Sequence, residues 1–374
     1  MPARHPGRRH SLVAALLLGG VLLTGCQPGT FDLSKAVSGL PSTHSAKPTA
    51  NADHPSPANN DPADSPTSTD PAGSTTGAEP TGVTTTPPTP TTTAVPPTTM
   101  APVPVPQSGF PNASNTGVPV GTVLTPYGGP CIVTETGTVI DSRTVNCGLD
   151  IRAADVTIKN SKINGMVALD TDLTGSSAWS YTLQDSEVDG GSVQLPAVSY
   201  GNMTVIRSNI HGGETAVQCG EHATFCTVRD SWLHGQRIPQ GANWHLGGFL
   251  SNGGTNVLIQ HNTVVCDAAP TGSDGGCTGD VNLFGDFAPI SHVTVDGNYM
   301  GASMGLAYCT FGGDVSNKTY PHADHVVYQH NVFQRGSNEK CGDYGPVSNF
   351  NVDGPGNQWI DNTWEDGTSV APAM

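Results

Sequence analysis

Short stretches of alternating hydrophobic and polar residues recur along the C-terminal two thirds of the chain. VTIKNSKI begins at residue 156, and in every strong copy of it the third and eighth positions are hydrophobic. Alternation with a period of two is typical of β-strands, because successive side chains point to opposite faces. The strong copies occupy 156–163, 181–188, 203–210, 226–233, 257–264, 293–300, 326–333 and 357–364, and a weaker copy occupies 137–144.

The copies are spaced regularly enough to form one repeat array. Successive strong copies start between 22 and 36 residues apart. A repeat of about 20–50 residues indicates a solenoid, and the period of two excludes an α-solenoid. A β-sandwich would not repeat one column so faithfully. We therefore predict one strand and one coil per copy. The sixth position forms a polar column, expected to be a side-chain ladder between coils, of Ser161, Ser186, Ser208, Ser231, Asn262, Asn298, Asn331 and Asn362.

These copies and their Ser/Asn column resemble the right-handed parallel β-helix repeat proteins of the pectate-lyase-like superfamily, including its secreted actinobacterial members. The resemblance covers about residues 109–374. It implies an all-β fold: a single-stranded right-handed parallel β-helix of about nine coils. The superfamily includes polysaccharide lyases, hydrolases, epimerases, tailspike-like proteins and non-catalytic adhesins, so the fold alone does not specify a function.

The resemblance does not transfer a mechanism. The Asn-Thr-Asp, Asp-Asp, Gly-His-Gly and Arg-Ile-Lys blocks of polygalacturonase-like hydrolases are missing from the sequence. Arg237-Ile238-Pro239 matches the Arg-x-Pro stretch of pectate lyases, but the residues around it do not match. Neither family's catalytic residues are therefore carried over as a set.

The N-terminal third predicts export and anchoring. Residues 1–25 combine a basic start with a short apolar run, which is typical of a secretory signal and too short to span a bilayer. Leu23-Thr24-Gly25-Cys26 resembles a lipobox, with Cys26 as the lipidated residue; the alternative is an ordinary signal peptide. Residues 26–107 are rich in Thr, Pro and Ser and predict a disordered tether. Residues 108–374 form the β-helix domain. We expect an extracellular protein held at the membrane by its lipid.

Charge and cysteine content narrow the partners and the compartment. The net charge is −16, with ten Lys/Arg and 25 Asp/Glu from residue 109 onward, which argues against nucleic acid and anionic lipid as partners. Membrane contact is expected only through the lipid anchor.

An even number of remaining cysteines favours disulfides over thiolate metal ligation, since no Cys-x-x-Cys is present. The simplest pairing is local: Cys131–Cys147, Cys219–Cys226, Cys266–Cys277 and Cys309–Cys341.

A row of polar residues follows four consecutive copies, and each is followed by glycine, which permits a sharp turn with positive φ. In register, Asp189, His211 and His234 should stack along one edge of the solenoid, after Asn164. This row is either a structural ladder at a turn or an acid–base pair of imidazoles in which Asp189 orients His211. Both interpretations remain open from the sequence.

Further candidates follow the row, because long loops on a regular solenoid commonly carry its function. Glu214 and Gln218 lie on the next predicted strand, and a long insertion follows His234. Trp244 is either a sugar platform or a residue that packs the loop. The candidate catalytic residues are Asp189, His211, Glu214, His234, Arg237 and Asp280; the candidate substrate-binding residues are Gln218, Trp244, His245, Asn252 and Asn282.

Two segments offer metal-binding chemistry. The Gly-rich segment 266–289 carries Asp274, Asp280 and Asp286, whose carboxylates suit Ca²⁺, although solvated carboxylates on a disulfide-closed loop are the alternative. YPHADH contributes His322, Asp324 and His325, a set of metal-ligand residue types on one short loop, although an ordered loop without a metal is the plainer interpretation.

Two classes of function fit these features. The first is a polysaccharide-active enzyme. Lyase chemistry would use His211 or His234 as base and Arg237 to neutralise a uronate, whereas hydrolysis would use Glu214 and Asp280 as its two carboxylates. The second is a non-catalytic glycan-binding or adhesin-like surface module that relies on contacts such as Trp232 and Trp244. In both cases the expected partner is a polysaccharide or cell-wall glycan.

Overall fold

The computed structural model describes residues 108–272 and 274–374. Three parallel sheets run the length of this domain, and each sheet takes every third strand of the chain. Sheet A contains β1 (Thr125–Pro126), β4 (Arg143–Val145), β7 (Lys162–Asn164), β10 (Glu187–Asp189), β13 (Asn209–His211), β16 (Trp232–Leu233), β19 (Thr263–Val264), β22 (Tyr299–Met300), β25 (Val332–Phe333) and β28 (Thr363–Trp364).

The other two sheets contain nine strands each. Sheet B contains β2 (Ile132–Val133), β5 (Leu149–Ile151), β8 (Val167–Ala168), β11 (Pro196–Ser199), β14 (Thr215–Cys219), β17 (His245–Ser251), β20 (Gly276–Leu283), β23 (Tyr308–Gly312) and β26 (Gly345–Ser348). Sheet C contains β3 (Val139–Asp141), β6 (Val156–Lys159), β9 (Tyr181–Gln184), β12 (Met203–Ile206), β15 (Cys226–Arg229), β18 (Gly254–Gln260), β21 (Ile290–Asp296), β24 (Asp324–Gln329) and β27 (Gln358–Ile360).

This topology confirms the predicted parallel β-helix of about nine coils. Successive strands pass from sheet to sheet, and each strand pairs in parallel with the equivalent strand one coil away, as β12 does with β9 and β15. The only helical element in the described part is a short 3₁₀ turn at Ser176–Ala178. None of the helices there is long and apolar enough to cross a membrane. The predicted signal peptide, lipidated Cys26 and tether lie outside the described residues.

Each eight-residue copy forms two short strands rather than the single strand that the sequence predicts. In the copy that begins at Val156, β6 ends at Lys159, Asn160 adopts a positive φ of 49°, and β7 starts at Lys162. A left-handed residue cannot continue a strand, so the chain turns a corner between sheets C and A. The same position has positive φ in the following copies, at Asp185, Arg207, Asp230, His261, Gly297, His330 and Asp361.

The hydrophobic positions of the copies fill the interior as predicted. Val156, Ile158 and Ile163 have no exposed surface, and the equivalent residues of later coils stack above them. Because each coil offers the same three positions, the core is one continuous column rather than a set of separate clusters. Trp359, in the last coil, is only partly buried and packs at the end of this column.

The polar column is a hydrogen-bonded ladder at the corner between sheets C and A. The backbone N–H of Ser208 donates to Ser231 Oγ at 3.1 Å, and the N–H of Ser231 donates to Asn262 Oδ1 at 2.9 Å. The asparagines also use their side-chain amide, since Asn262 Nδ2 donates to the Val228 carbonyl of the preceding coil at 2.9 Å. In the later coils each asparagine side chain therefore both accepts and donates a hydrogen bond to a neighbouring coil, whereas each serine side chain only accepts one.

All four predicted local disulfides form, joining Cys131 to Cys147, Cys219 to Cys226, Cys266 to Cys277 and Cys309 to Cys341. Each bridge closes a short stretch within the solenoid. Disulfides of this number are typical of secreted proteins, because an oxidising compartment is needed to keep them.

Several of the long connections of the domain flank the outer face of sheet B. On the side of sheet A the chain makes long loops at 234–244, 301–307 and 334–344. On the side of sheet C it makes loops at 284–289 and 313–323. Part of the outer face of sheet A is instead covered by the chain itself: Phe110 packs on the Tyr299 ring at 5.3 Å, and Tyr299 is only 2% exposed.

Candidate functional site

The polar row seen in the sequence lies on the outer face of sheet A. Asp189 is in register with Asn164 and with His211. The rings of His211 and His234 lie 5.6 Å apart, so the stacking predicted from the repeat is present. The predicted glycine turns hold with one exception: Gly190 does not have positive φ, and Gly191 takes that conformation instead, at 76°.

His211 sits within a group of mutually paired charges. Its Nε2 lies 3.2 Å from Glu187 Oε1, and its Nδ1 lies 3.8 Å from Asp189 Oδ1. Glu187 also pairs with Lys162 Nζ at 2.9 Å, and Asp189 pairs with Arg237 Nη1 at 2.9 Å. The hydrogen bond from His211 is the main cause that lowers the pKa of Glu187 to about 2. Arg237 is thus already engaged by a carboxylate of the protein, which does not favour its use against a uronate.

His234 is held neutral beside this group. Its ring stacks on Trp232 with centroids 3.4 Å apart, and its Nε2 lies 2.8 Å from Asn209 Oδ1. Burial, and then the charge of His211, lower the pKa of His234 to about 3. A base with so low a pKa is a poor proton acceptor near neutral pH. This environment favours the ladder interpretation for His234.

The neutral state of His234 predicts a loss of stability in acid. The folded-state pKa of about 3 lies below the ordinary value of 6.5, so the unfolded chain binds a proton first as pH falls. The free energy of unfolding should therefore fall between about pH 6.5 and pH 3, in total by a few kcal/mol. His234→Gln should lose less over this range, as measured by urea unfolding at a series of pH values. The exposed His245→Gln serves as control, and equal losses in wild type and His234→Gln would contradict the assignment.

Glu214 occupies a different environment, at the corner where sheet A gives way to sheet B. Its backbone N–H donates to the Leu195 carbonyl and its carbonyl accepts from the Gly247 N–H, both at 3.1 Å, so both neighbouring coils fix its position. Its carboxyl makes no hydrogen bond or ion pair to any residue in 108–272 or 274–374. Burial raises the pKa of this carboxyl to about 7. Near neutral pH, Glu214 can therefore both hold and release a proton.

Glu214 belongs to a group of carboxylates around Tyr200, here called the Tyr200 group. Tyr200 follows β11, and burial raises its pKa to about 12. The negative charges of four carboxylates raise it further, those of Asp170, Glu214, Asp172 and Glu221. These residues come from three different coils, and no local motif joins them. The sequence analysis found Glu214 alone, because the others follow their strands at unequal distances.

A column of side chains runs across sheet B through Gln218. Gln218 is in register with Leu250, Leu250 with Asn282, and Asn282 with Phe311. Asn282 is 2% exposed; its Nδ2 donates to the Gly279 carbonyl at 3.1 Å, and its Oδ1 has no hydrogen-bond partner in the described part of the chain. The predicted residues Gln218 and Asn282 therefore share one column, which crosses β14 four residues after Glu214.

Aromatic rings gather at the C-terminal half of the same sheet. The Phe311 ring lies 5.1 Å from Phe284 and 5.2 Å from Tyr308, and Tyr308 lies 5.8 Å from Tyr344. Tyr344 is 74% exposed. We call Phe284, Tyr308, Phe311 and Tyr344 the aromatic cluster. The sequence analysis missed it, because its members fall on three coils and only the strand register brings them together.

The remaining substrate-binding candidates are dispersed. Trp244 is half-buried and packs against the hydrophobic core, which agrees with its alternative role of packing the loop. His245 is the exposed first residue of β17. Asn252 follows β17, and its carbonyl accepts from the Phe287 N–H at 2.9 Å. None of these three contacts the Tyr200 group through a hydrogen bond.

Asp280 lies inside the solenoid and not in a cleft. It has no exposed surface, and its Oδ1 accepts from the Cys266 N–H at 2.7 Å. Burial raises the pKa of Asp280 well above its ordinary value, so its neutral form is favoured. Glu214 and Asp280 therefore do not form a pair of carboxylates that a glycan could reach.

The three aspartates of the Gly-rich segment do not converge. Asp274 is exposed in the loop before β20, and Asp280 is interior. Asp286 lies in the loop after β20 and pairs with Lys318 Nζ at 2.9 Å. This arrangement does not favour a shared Ca²⁺ site.

In YPHADH, His322 points away from its predicted partners, with its side chain 81% exposed and Nδ1 3.5 Å from Asp314 Oδ1.

Comparisons with known proteins add no functional argument. No protein-family model matches the chain, and no curated protein sequence matches it. Among solved structures, the chain is similar to the A-module of mannuronan C-5 epimerase AlgE6 from Azotobacter vinelandii, at 12% sequence identity over 69% of this chain and 74% of that one, with a TM-score of 0.32. A likeness this distant carries no inference about activity, so the function must be argued from the geometry.

Proposed function

We propose that this protein is a polysaccharide-active enzyme that hydrolyses a glycan on the outer face of sheet B, with Glu214 as general acid. The observation that carries the proposal is the half-buried Glu214 carboxyl, which has no partner in the described chain and a pKa of about 7. A carboxylic acid in an apolar setting keeps its proton near neutral pH and can deliver it to a leaving group.

Hydrolysis of a glycoside needs a second carboxylate, either as nucleophile or as the base that activates water. The second carboxylate would come from the other acidic residues of the Tyr200 group, in place of the buried Asp280. Asp170, Asp172 and Glu221 act electrostatically on the same phenol as Glu214. Asp170 and Asp172 follow β8 and Glu221 follows β14, whereas Glu214 precedes β14. The environment of Asp172 differs from that of Glu214, since the Asp172 side chain is exposed and its Oδ1 lies 2.7 Å from His222 Nδ1, whereas the half-buried Glu214 carboxyl makes no such contact within the described residues.

The aromatic cluster extends the site along the solenoid. Aromatic side chains give large, rigid apolar surfaces on which sugar rings can pack. Tyr308 and Phe311 of the cluster lie on β23, whereas Phe284 begins the loop 284–289 and Tyr344 ends the loop 334–344. A glycan chain laid across coils would then meet the Tyr200 group at one end and the aromatic cluster at the other.

The charges favour a neutral or basic glycan over a polyuronate. A lyase needs a cation near the uronate carboxylate, but Arg237 and Lys162 are paired with Asp189 and Glu187. The Tyr200 group is itself acidic, which repels a polyanion. Hydrolysis is thus the chemistry that the side chains favour over β-elimination.

The proposal places the enzyme outside the cell. Four disulfides agree with a secreted protein. The lipid on Cys26 and the tether at 26–107, both inferred from the sequence, would hold the β-helix near the membrane while it acts on a cell-wall or environmental glycan.

A second candidate is a glycan-binding module without catalysis, and the aromatic cluster is the observation that favours it. The two are separated by incubating the purified chain with neutral, amino-sugar and uronate polysaccharides. New reducing ends without ultraviolet absorbance from unsaturated uronate are expected from hydrolysis. Unsaturated products would establish a lyase. Retention of a glycan with no product of either kind would favour the binding module.

Tyr344→Ala tests the aromatic cluster as a binding surface. Loss of one stacked ring should weaken binding by about 1 kcal/mol, which is about fivefold. We expect KM to rise by this factor with kcat little changed, because the ring lies away from Glu214. Tyr320→Ala, in the neighbouring loop but outside the cluster, is the matched control. An unchanged KM in Tyr344→Ala would remove the cluster from the site.

A further inference from the structure

Two histidines from consecutive coils meet at the corner that leads into sheet C. His292 lies in β21 and His325 in β24, and their neighbours Ser291 and Asp324 are paired in register. The two rings lie 4.4 Å apart and are nearly parallel, with an angle of 7° between them. His292 is therefore the partner of Asp324 and His325, in place of the His322 predicted from YPHADH.

Histidine is unusual at this corner position. Both His292 and His325 have positive φ, at 54° and 51°. Earlier coils place Asp155, Asn202 and Asn256 there, also with positive φ. Asn and Asp tolerate this left-handed conformation well, and they satisfy the turn without an imidazole. The geometry of the turn alone therefore does not require histidine in two consecutive coils.

Hydrogen bonds orient each ring through its Nδ1 atom. Asp324 Oδ1 lies 2.7 Å from His325 Nδ1. Ser291 Oγ donates to Asp324 Oδ1 at 2.5 Å and lies 2.7 Å from His292 Nδ1. A proton on each Nδ1 satisfies these contacts, which leaves the lone pair of each ring on Nε2. Metal-binding histidines are commonly fixed in this way, with the second ring nitrogen donating to a carboxylate or another acceptor.

From this arrangement we propose that His292 and His325 bind a divalent transition-metal ion through their Nε2 atoms, with Asp324 and Ser291 holding the rings in place. Zn²⁺ is the representative ion, since imidazole nitrogens at about 2.0–2.1 Å are among its preferred ligands. The rings are stacked with centroids 4.4 Å apart, so they must tilt on binding for both Nε2 lone pairs to reach one ion; their exposure leaves room for this tilt and for water to complete the coordination. The site joins two coils and is independent of the proposed glycan hydrolysis.

Other His–Asp pairs on this solenoid provide internal controls. His330 Nδ1 lies 3.0 Å from Asp296 Oδ1, and His261 Nδ1 lies 2.8 Å from Asp230 Oδ1. Each of these pairs involves one imidazole, as part of the same kind of coil-to-coil contact. One imidazole and one carboxylate on an open surface bind Zn²⁺ weakly, whereas two imidazoles oriented by their neighbours bind it more tightly.

The test is calorimetric titration of Zn²⁺ into the full chain after treatment with chelator. Wild type should show one site, and His292→Gln/His325→Gln should bind at least tenfold more weakly. Asp324→Asn should weaken binding by about 10–100-fold, because it removes the group that orients His325. His330→Gln should bind as wild type does. Both replaced histidines are exposed, and an unchanged melting temperature in chelator verifies that the double variant is folded.

A second readout separates this site from adventitious binding. Zn²⁺ bound only to the folded chain should raise the melting temperature of wild type and of His330→Gln, but not that of the double variant. The inference is overturned if wild type shows no Zn²⁺ site. It is also overturned if the double variant keeps the affinity and the thermal shift of wild type, since the ion would then bind elsewhere, for example at Asp172, Glu221 and His222, whose ligand atoms also lie within 4.8 Å of one another.

Discussion

Replacing Asn298 with alanine is expected to lower the free energy of unfolding by about 3–5 kcal/mol. Asn298 is fully buried, and its Nδ2 donates to the Ile259 carbonyl at 2.8 Å and to Asn331 Oδ1 at 3.0 Å. Its Oδ1 accepts from the N–H of Asn262 at 2.9 Å and from Asn262 Nδ2 at 3.0 Å. Alanine leaves the buried N–H of Asn262 without its acceptor and removes one of the two bonds made by Asn262 Nδ2 and by Asn331 Oδ1. Each buried group left without a partner costs about 1–3 kcal/mol.

Urea unfolding of Asn298→Ala measures this loss directly. The control is Asn317→Ala, in the exposed part of the loop 313–323, which should change the free energy of unfolding by less than about 0.5 kcal/mol. Similar small effects of the two substitutions would mean that the Asn column contributes packing volume and not a hydrogen-bonded ladder.

Glu214→Gln is expected to reduce glycan hydrolysis by about 10²–10⁴-fold, the range lost when a general acid is removed. Glutamine keeps the size and hydrogen-bonding shape of the protonated carboxyl, so substrate binding and KM should change little. Initial rates at saturating glycan give the effect on kcat. Glu135→Gln, in an exposed turn of the first coils, is the control and should retain full activity.

The same variant should be more stable than wild type at alkaline pH. The folded-state pKa of Glu214, about 7, lies above its ordinary value of 4.5. Protonation therefore favours the folded state, and stability is lost as pH rises from 4.5 through 7. Glutamine cannot ionise and avoids this loss, which is on the order of 1–2 kcal/mol after allowance for partial solvent exposure. A variant that loses activity and stability together would indicate a structural role for Glu214.

Most of the fold could be predicted because it depends on repetition. The alternation within VTIKNSKI and its copies placed Val156, Ile158 and Ile163 in the core, and the structure buries all three. The Ser/Asn column predicted the ladder, and its register followed from the copies alone. The corner at Asn160 was not predicted, because a single left-handed residue within a hydrophobic pattern leaves no periodic signal.

The candidate site was harder to predict, because it depends on which residues adjacent coils bring together. Glu214 and Gln218 were found from the sequence, since they follow a repeat copy directly. The sequence around Asp280 is typical of an exposed position on a strand. In the structure its side chain is fully buried in the core. Tyr200 and the aromatic cluster lie in segments whose lengths vary from coil to coil, so sequence spacing could not align them.

For the histidine row, the sequence predicted the positions of the residues but not their chemical role. Its recurrence after successive copies correctly placed Asp189, His211 and His234 in one stack. Recurrence does not distinguish a ladder from a catalytic pair; the burial of His234 against Trp232 and the pairing of Arg237 with Asp189 make that distinction. The chemistry of these residues is set by neighbours that lie one coil away.

The most direct test of glycan hydrolysis by Glu214 is the pH dependence of kcat/KM for release of reducing ends by the unmodified chain. This quantity reports the ionisations of the free enzyme. The rate should fall as pH rises, with an apparent pKa near 7, because Glu214 must be protonated to act as the acid. A rate that stays constant or increases through this range, or a product that is an unsaturated uronate, would contradict the proposed mechanism.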